Sequence, residues 1–145
     1  MLSDGDIREF ALNYGDGRPL VSPFDEYNLQ PASYDVHLSP YLVDPFDSHR
    51  RGLIYLDDAV PYFVLPPNEL WLGETSEWFN IPSDMAAKVE GRSSWGRLGL
   101  MTHITAGFVD PGFKGTITLE LYNVGKHPLR LPVTHHRRDS ATADV

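Results

Sequence analysis

The sequence predicts a mainly β fold with one short N-terminal helix, and three features predict it. Apolar and polar residues alternate in several short runs, which is the side-chain period of a half-buried strand. Turn formers punctuate those runs: the chain has 12 Gly and 12 Pro, most of them lying between the runs. Helical spacing is confined to one segment near the start. Many short strands with a single helix indicate a sandwich or barrel rather than βαβ units.

Ser3 to Leu12 reads as the helix. Ser3 can cap it, Asp6 stands three residues on as in a capping box, and Ile7, Phe10 and Ala11 share a face. The turn residues from Asn13 to Pro19 end it. Strand alternation follows at Tyr34 to Leu38, Glu69 to Glu74 and Thr116 to Tyr122. Further short runs are Gly52 to Leu56, Tyr62 to Leu65, Ala86 to Val89, Leu98 to Thr105 and Leu129 to Val133. Ala106 to Gly115 reads as a hairpin with Asp110 at its tip, because Asp before Pro starts turns. The last segment, Thr134 to Val145, is polar and aperiodic and reads as a frayed tail.

At 145 residues the chain is one domain that buries roughly 68–70% of its unfolded surface. It has no cysteine, which excludes disulfides, thiolate nucleophiles, iron–sulfur clusters and cysteine-ligated zinc. That composition suits the cytoplasm. No run approaches the ~18 apolar residues of a membrane span, and Met1 to Asp4 lacks the basic and apolar regions of a signal peptide. The formal net charge of −8 is uneven. Residues 1–60 hold 4 Lys+Arg against 11 Asp+Glu, whereas residues 61–145 hold 8 against 9. An acidic first half argues against nucleic acid as a partner.

Three places could carry chemistry. Gly91 to Arg97 packs two arginines, two serines and two glycines into seven residues. Arginine forks and hydroxyls match phosphate oxygens, and glycine lets backbone N–H groups approach an anion. A polar turn between strands would read the same way. Asp110 is either a site carboxylate or a turn initiator. Glu120 shares a strand face with Thr118, opposite Ile117, Leu119 and Leu121. It is an ordinary surface carboxylate if that face is solvated. In a cleft, desolvation would raise its pKa toward general acid/base use. The six histidines are scattered, His135 and His136 lie in the tail, and Asp44, Asp47, Asp57 and Asp58 read as loop charges. No metal-ligand spacing, P-loop, dinucleotide fingerprint or nucleophile elbow is present.

With these motifs in view, the chain resembles the deoxycytidine triphosphate (dCTP) deaminases, trimeric β-fold relatives of the dUTP pyrophosphatases. The resemblance rests on Leu2-Ser3-Asp4-x-Asp6-Ile7, on Gln30 to Leu38, and on Glu90-Gly91-Arg92-Ser93-Ser94-x-Gly96-Arg97-Leu98-Gly99-Leu100. Thr105 to Phe113 and Ile117 to Leu121 complete it. It implies a dUTPase-like β-clip, a distorted barrel, assembled as a homotrimer. Glu120 would shuttle the proton from the attacking water to the leaving ammonia, and Ser93 would hold that water. Arg92, Ser93, Ser94, Trp95, Gly96 and Arg97 would form the triphosphate loop, with Arg97 also steadying the catalytic centre. Asp110 would meet the deoxyribose, and Thr118, Leu119 and Glu120 would face the base. No zinc is implied, Mg²⁺ rides on the nucleotide, and dTTP is a candidate feedback inhibitor beside dCTP and dUTP.

Two products remain open at this stage. Members that stop at dUTP tend to carry His-Arg where this chain has Gly107-Phe108. Gly107-Phe108, with Ala106 before it, therefore points to the bifunctional type that continues to dUMP, with Asp110 as the base for attack on the phosphate. The chain also departs from the family pattern. Trp95 stands where Leu is usual, and Thr134 to Val145 matches no family segment. The resemblance thus assigns residues 1–133 to the domain and 134–145 to an unmatched tail, as a truncation or frame change near codon 134 would leave. A missing closing strand and lid would open a sheet edge and impair activity. The alternative to an active enzyme is then a nucleotide-binding remnant.

Overall fold

Ser3 caps the first helix in the way its neighbours dictate. Its Oγ accepts the Asp6 N–H at 3.2 Å, while its own N–H and hydroxyl donate to Asp6 Oδ2 at 2.9 and 2.8 Å. Helix α1 spans Asp4–Asn13 and buries Ile7 and Ala11. Arg8 on its other side pairs with Glu26. The structure is a computed structural model and describes residues 1–13, 18–47 and 52–135. Asn13, predicted to open the turn after α1, is the last residue of the helix; residues 14–17 of that turn and most of the predicted tail, including His136, lie outside the described residues.

Two-residue strands follow: β1 (Val21–Ser22), β2 (Leu29–Gln30) and β3 (Ser33–Tyr34). Longer ones come next, namely β4 (Leu38–Val43), β5 (Leu53–Tyr55), β6 (Tyr62–Leu65), β7 (Leu70–Thr75) and β8 (Trp78–Asn80). After β9 (Ala87–Lys88) comes a one-turn helix, α2 (Ser93–Gly96). The chain then forms β10 (Leu100–Met101), β11 (Phe108–Val109), β12 (Lys114–Gly115), β13 (Thr118–Asn123) and β14 (Leu129–Pro132).

Five strands form one antiparallel sheet in the order β10-β13-β7-β4-β5. A second sheet has the order β1-β8-β12, and β9 with β11, β6 with β14, and β2 with β3 make separate pairs. The inner face of the five-stranded sheet supplies Leu42, Leu100, Leu119 and Leu121 to a core completed by Phe63, Leu65, Leu129 and Leu131 from the β6–β14 pair. Burying each such side chain is worth about 1.5–3 kcal/mol. A second core joins α1 to the three-stranded sheet through Ala11, Val21, Phe79, Ile81 and Val109.

The expected mainly β architecture is present, with local corrections. Residues 35–37 lie outside the strands, and the strand near them runs instead from Leu38 to Val43, because β7 and β5 pair along that stretch. The run from Leu98 to Thr105 holds only the short β10, since its later residues turn away to meet Glu120. The segment 106–115 is not a hairpin. Its two arms join different partners, β11 pairing with β9 and β12 with β8. The helix is not single either, because α2 closes a turn at the serines. Thr134 and His135 do not fray: Thr134 donates its N–H to the Leu38 carbonyl at 2.8 Å, and His135 Nε2 lies 2.6 Å from the Leu56 carbonyl.

Candidate active site

Strand β13 is paired on both sides, so its period-two pattern separates two environments. Leu119 and Leu121 enter the core, while Thr118 and Glu120 stand on the outer face, opposite Glu74 and Leu72 of β7. The β4–β5 pairs Tyr41–Tyr55 and Val43–Leu53 share that outer face, as does the pair of Met101 with Tyr122. The face is largely apolar apart from Glu74, Thr118 and Glu120, and it is open, with Leu53 at 61% exposure. A cavity of about 510 Å³ lies over it, lined by Tyr41, Val43, Leu53, Leu72, Glu74 and Thr118. Another, of about 390 Å³, lies by Ser39, Ser76 and His135 and contains none of the predicted site residues.

Glu120 is held by main chain. Its Oε2 accepts three successive backbone N–H groups: Ile104 at 2.5 Å, Thr105 at 3.0 Å and Ala106 at 3.4 Å. Its own N–H donates to the Thr102 carbonyl at 3.1 Å. The N–H groups of Ile104 and Thr105 pull the carboxyl below its ordinary value, burial opposes them weakly, and Ala106 adds to the lowering. The upward shift expected of a desolvated cleft is therefore reversed in the single chain. The carboxylate is ionised and fixed in orientation.

The strap that supplies these donors rests on two glycines. A Cβ at Gly107 would lie 3.0 Å from Cε1 and Nδ1 of the His103 ring. A Cβ at Gly91 would lie 3.2 Å from Thr102 Oγ1. Both Thr102 Oγ1 and His103 Nδ1 are buried without a hydrogen-bond partner. The Gly107 carbonyl accepts the Val89 N–H at 2.7 Å, which ties the strap to the stem of the serine–arginine loop.

In that loop Arg92 takes an extended conformation (φ −63°, ψ 134°) and α2 begins at Ser93. Ser93, Ser94, Gly96 and Arg97 are exposed, while Trp95 is half-buried and packs on the main core. Asp110 is exposed in the turn after β11, its carbonyl accepting the Phe113 N–H at 3.2 Å. Ala106 thus joins Glu120 directly through its N–H, while Gly107 follows it in the strap and packs against His103. Among the described residues no hydrogen bond or ion pair links Ser93 or Asp110 to Glu120 within one chain. Among the described residues, too, no group of three or more His, Asp or Glu side chains could hold a metal ion.

Sequence reasoning missed the three N–H donors, because main-chain groups have no side-chain signature. The small residues at 105–107 were the available signal. It also gave no role to Asp35, whose carboxylate lies 3.5 Å from Arg92.

Known proteins similar to this chain share one description. The family model described as dCTP deaminase-like matches residues 1–134. A Beutenbergia cavernae protein described as dCTP deaminase, dUMP-forming, is 46% identical over 143 residues, covering 90% of this chain and 72% of the relative. Proteins of the same description from Tropheryma whipplei and Streptomyces coelicolor are 46% and 42% identical, covering 90% of this chain and 71% and 73% of their own lengths. The crystal structure of a 2′-deoxycytidine 5′-triphosphate deaminase from Agrobacterium tumefaciens superposes with a TM-score of 0.70 at 24% identity. That match covers 90% of this chain and 44% of the solved one, and shows the fold.

Proposed function

Because the chain belongs to the dCTP deaminase-like family, we propose that it removes the 4-amino group of dCTP by hydrolysis and carries the product on to dUMP. The observation that carries this reading is the Glu120 carboxylate, ionised and locked on three N–H groups in a largely apolar sheet face. Water adds at C4 of the base as Glu120 takes its proton. That proton goes to ring N3, and the proton of the new C4 hydroxyl then passes through Glu120 to the amino group, which leaves as ammonia, so dCTP and water give dUTP and ammonia. Ser93 holds the attacking water, and Thr118 and Leu119 meet the base. A second water, with Asp110 as base, then divides dUTP into dUMP and pyrophosphate. The names of the relatives favour this second step, and Gly107-Phe108 agrees with it.

The substrate enters as its Mg²⁺ complex, gripped by Arg92, Ser94, Gly96 and Arg97. Arginine forks and backbone N–H groups suit phosphate oxygens. The open, largely apolar sheet face beside Glu120, with Leu53 at 61% exposure, supports a homotrimer in which neighbours complete each site. Exclusion of water by a neighbour would raise the Glu120 carboxyl from its single-chain baseline, toward the range that proton shuttling needs. dTTP shares the sugar and triphosphate and competes for the same loop. A cytoplasmic location accords with this reading. Among the described residues no helix is long and apolar enough to cross a membrane.

Incubation with dCTP, followed by chromatography of the nucleotides, tests the proposal. Ammonia, dUMP and pyrophosphate in equal amounts are expected. Accumulating dUTP would mean that the chain stops after deamination, and dCTP binding without ammonia would leave only a nucleotide-binding protein.

A further inference from the structure

Asp35 follows β3 and is fixed there before any ligand arrives. Its N–H donates to the Asn28 carbonyl at 2.8 Å, and its Oδ2 accepts the Gln30 side-chain amide at 3.1 Å. The β2–β3 pair beneath it is anchored in turn. Tyr34 stacks on Phe24 with ring centroids 5.6 Å apart, and the Asp4 N–H donates to the Pro31 carbonyl at 3.0 Å. The Asp35 side chain is only 20% exposed, and the same Oδ2 lies 3.5 Å from Nη1 of Arg92, which is 65% exposed. One nitrogen of the guanidinium therefore faces a rigid, mostly buried carboxylate, while its other donors stay open to solvent.

We propose that Asp35 is a positioning residue for triphosphate binding: it holds the Arg92 guanidinium against the N-terminal β2–β3 platform, so that its free donors meet phosphate already oriented. A long exposed arginine loses rotamer freedom on gripping an anion, and an ion pair made beforehand reduces that loss. The acidic first half of the chain thereby acts on the anion-binding second half through one contact. This inference rests on the reading that Arg92 meets the nucleotide phosphates.

The test is Asp35→Asn, which keeps an acceptor for Gln30 and removes the charge facing Arg92. With dCTP the KM should rise three- to tenfold with kcat within twofold, and the melting temperature should stay within a few degrees. Binding of inorganic tripolyphosphate, read by calorimetry, should weaken by the same factor. In an Arg92→Ala background the Asn substitution should change neither quantity further. Equal losses in both backgrounds, or unchanged tripolyphosphate affinity in the single variant, would overturn the inference. Because tripolyphosphate binding needs no turnover, a wild-type chain that binds it but leaves dCTP intact would refute the deaminase reading alone, and the cycle would still decide the role of Asp35.

Discussion

Replacing Gly107 with alanine should disturb catalysis through the strap rather than through any substrate contact. The new Cβ would meet Cε1 and Nδ1 of His103 at 3.0 Å and Cγ at 3.3 Å. Ordinary carbon contacts lie near ~3.5–4.0 Å, so the ring or the strap must yield by roughly half an ångström. His103 Nδ1 is buried, so the half-buried ring is enclosed on the side that Gly107 faces. The displacement that the ring does not absorb passes to Ile104, Thr105 and Ala106, and the Ala106 N–H is already 3.4 Å from Glu120 Oε2. Overpacking of this kind costs about 1–2 kcal/mol. For a domain of this size that lowers the melting temperature by roughly 3–6 °C.

Loosening one or two of the three donors should lower kcat about ten- to hundredfold, as small misplacements of reacting groups do. Thermal unfolding and steady-state deamination measure the two effects. The second variant His103→Ala/Gly107→Ala removes the ring that the Cβ strikes, so it should recover most of the lost melting temperature. Wild-type stability and kcat in Gly107→Ala, or no recovery in the double variant, would refute the claim that this packing holds the Glu120 donors in place.

Other substitutions separate the remaining roles. Glu120→Gln keeps the shape and one acceptor oxygen for the strap but cannot carry a proton, so deamination should fall by roughly 10²–10⁴ while dCTP still binds; near-normal turnover would remove Glu120 from the mechanism. The N–H groups of Ile104 and Thr105 lower the Glu120 carboxyl from its ordinary 4.5, so its stabilising contribution is complete above that value and is lost as pH falls through the lower folded value. In the dissociated single chain, where no neighbour desolvates Glu120, the melting-temperature gap between wild type and Glu120→Gln should thus be flat above 4.5 and close below it; a gap that widens on acidification contradicts the assignment. Arg97→Ala should weaken dCTP binding far more than deoxycytidine binding, measured by calorimetry, and equal losses would count against a phosphate role.

What the sequence made legible follows from how locally each element is determined. The α1 cap is a contact between residues three apart, so its geometry could be read from Ser3 and Asp6 alone. The faces of β13 were legible because unbroken pairing with β7 preserves strict alternation through Leu119, Glu120 and Leu121. Strands β1, β2, β3 and β12 have two residues each, too few to show a period, and β1 and β12 exist because β8 lies between them. The 106–115 segment carries an honest local turn signal at Asp110, yet distant strands decide where its arms pair. The same distinction runs through the site. Glu120, Ser93 and the two arginines stand out as candidates by side-chain type. The groups that set the charge and aim of Glu120 are backbone N–H donors, whose positions depend on glycines at 91 and 107 clearing space for Thr102 and His103. Side chains name the chemistry here, whereas the chain path tunes it, and the path is visible only once the long-range pairing is in place.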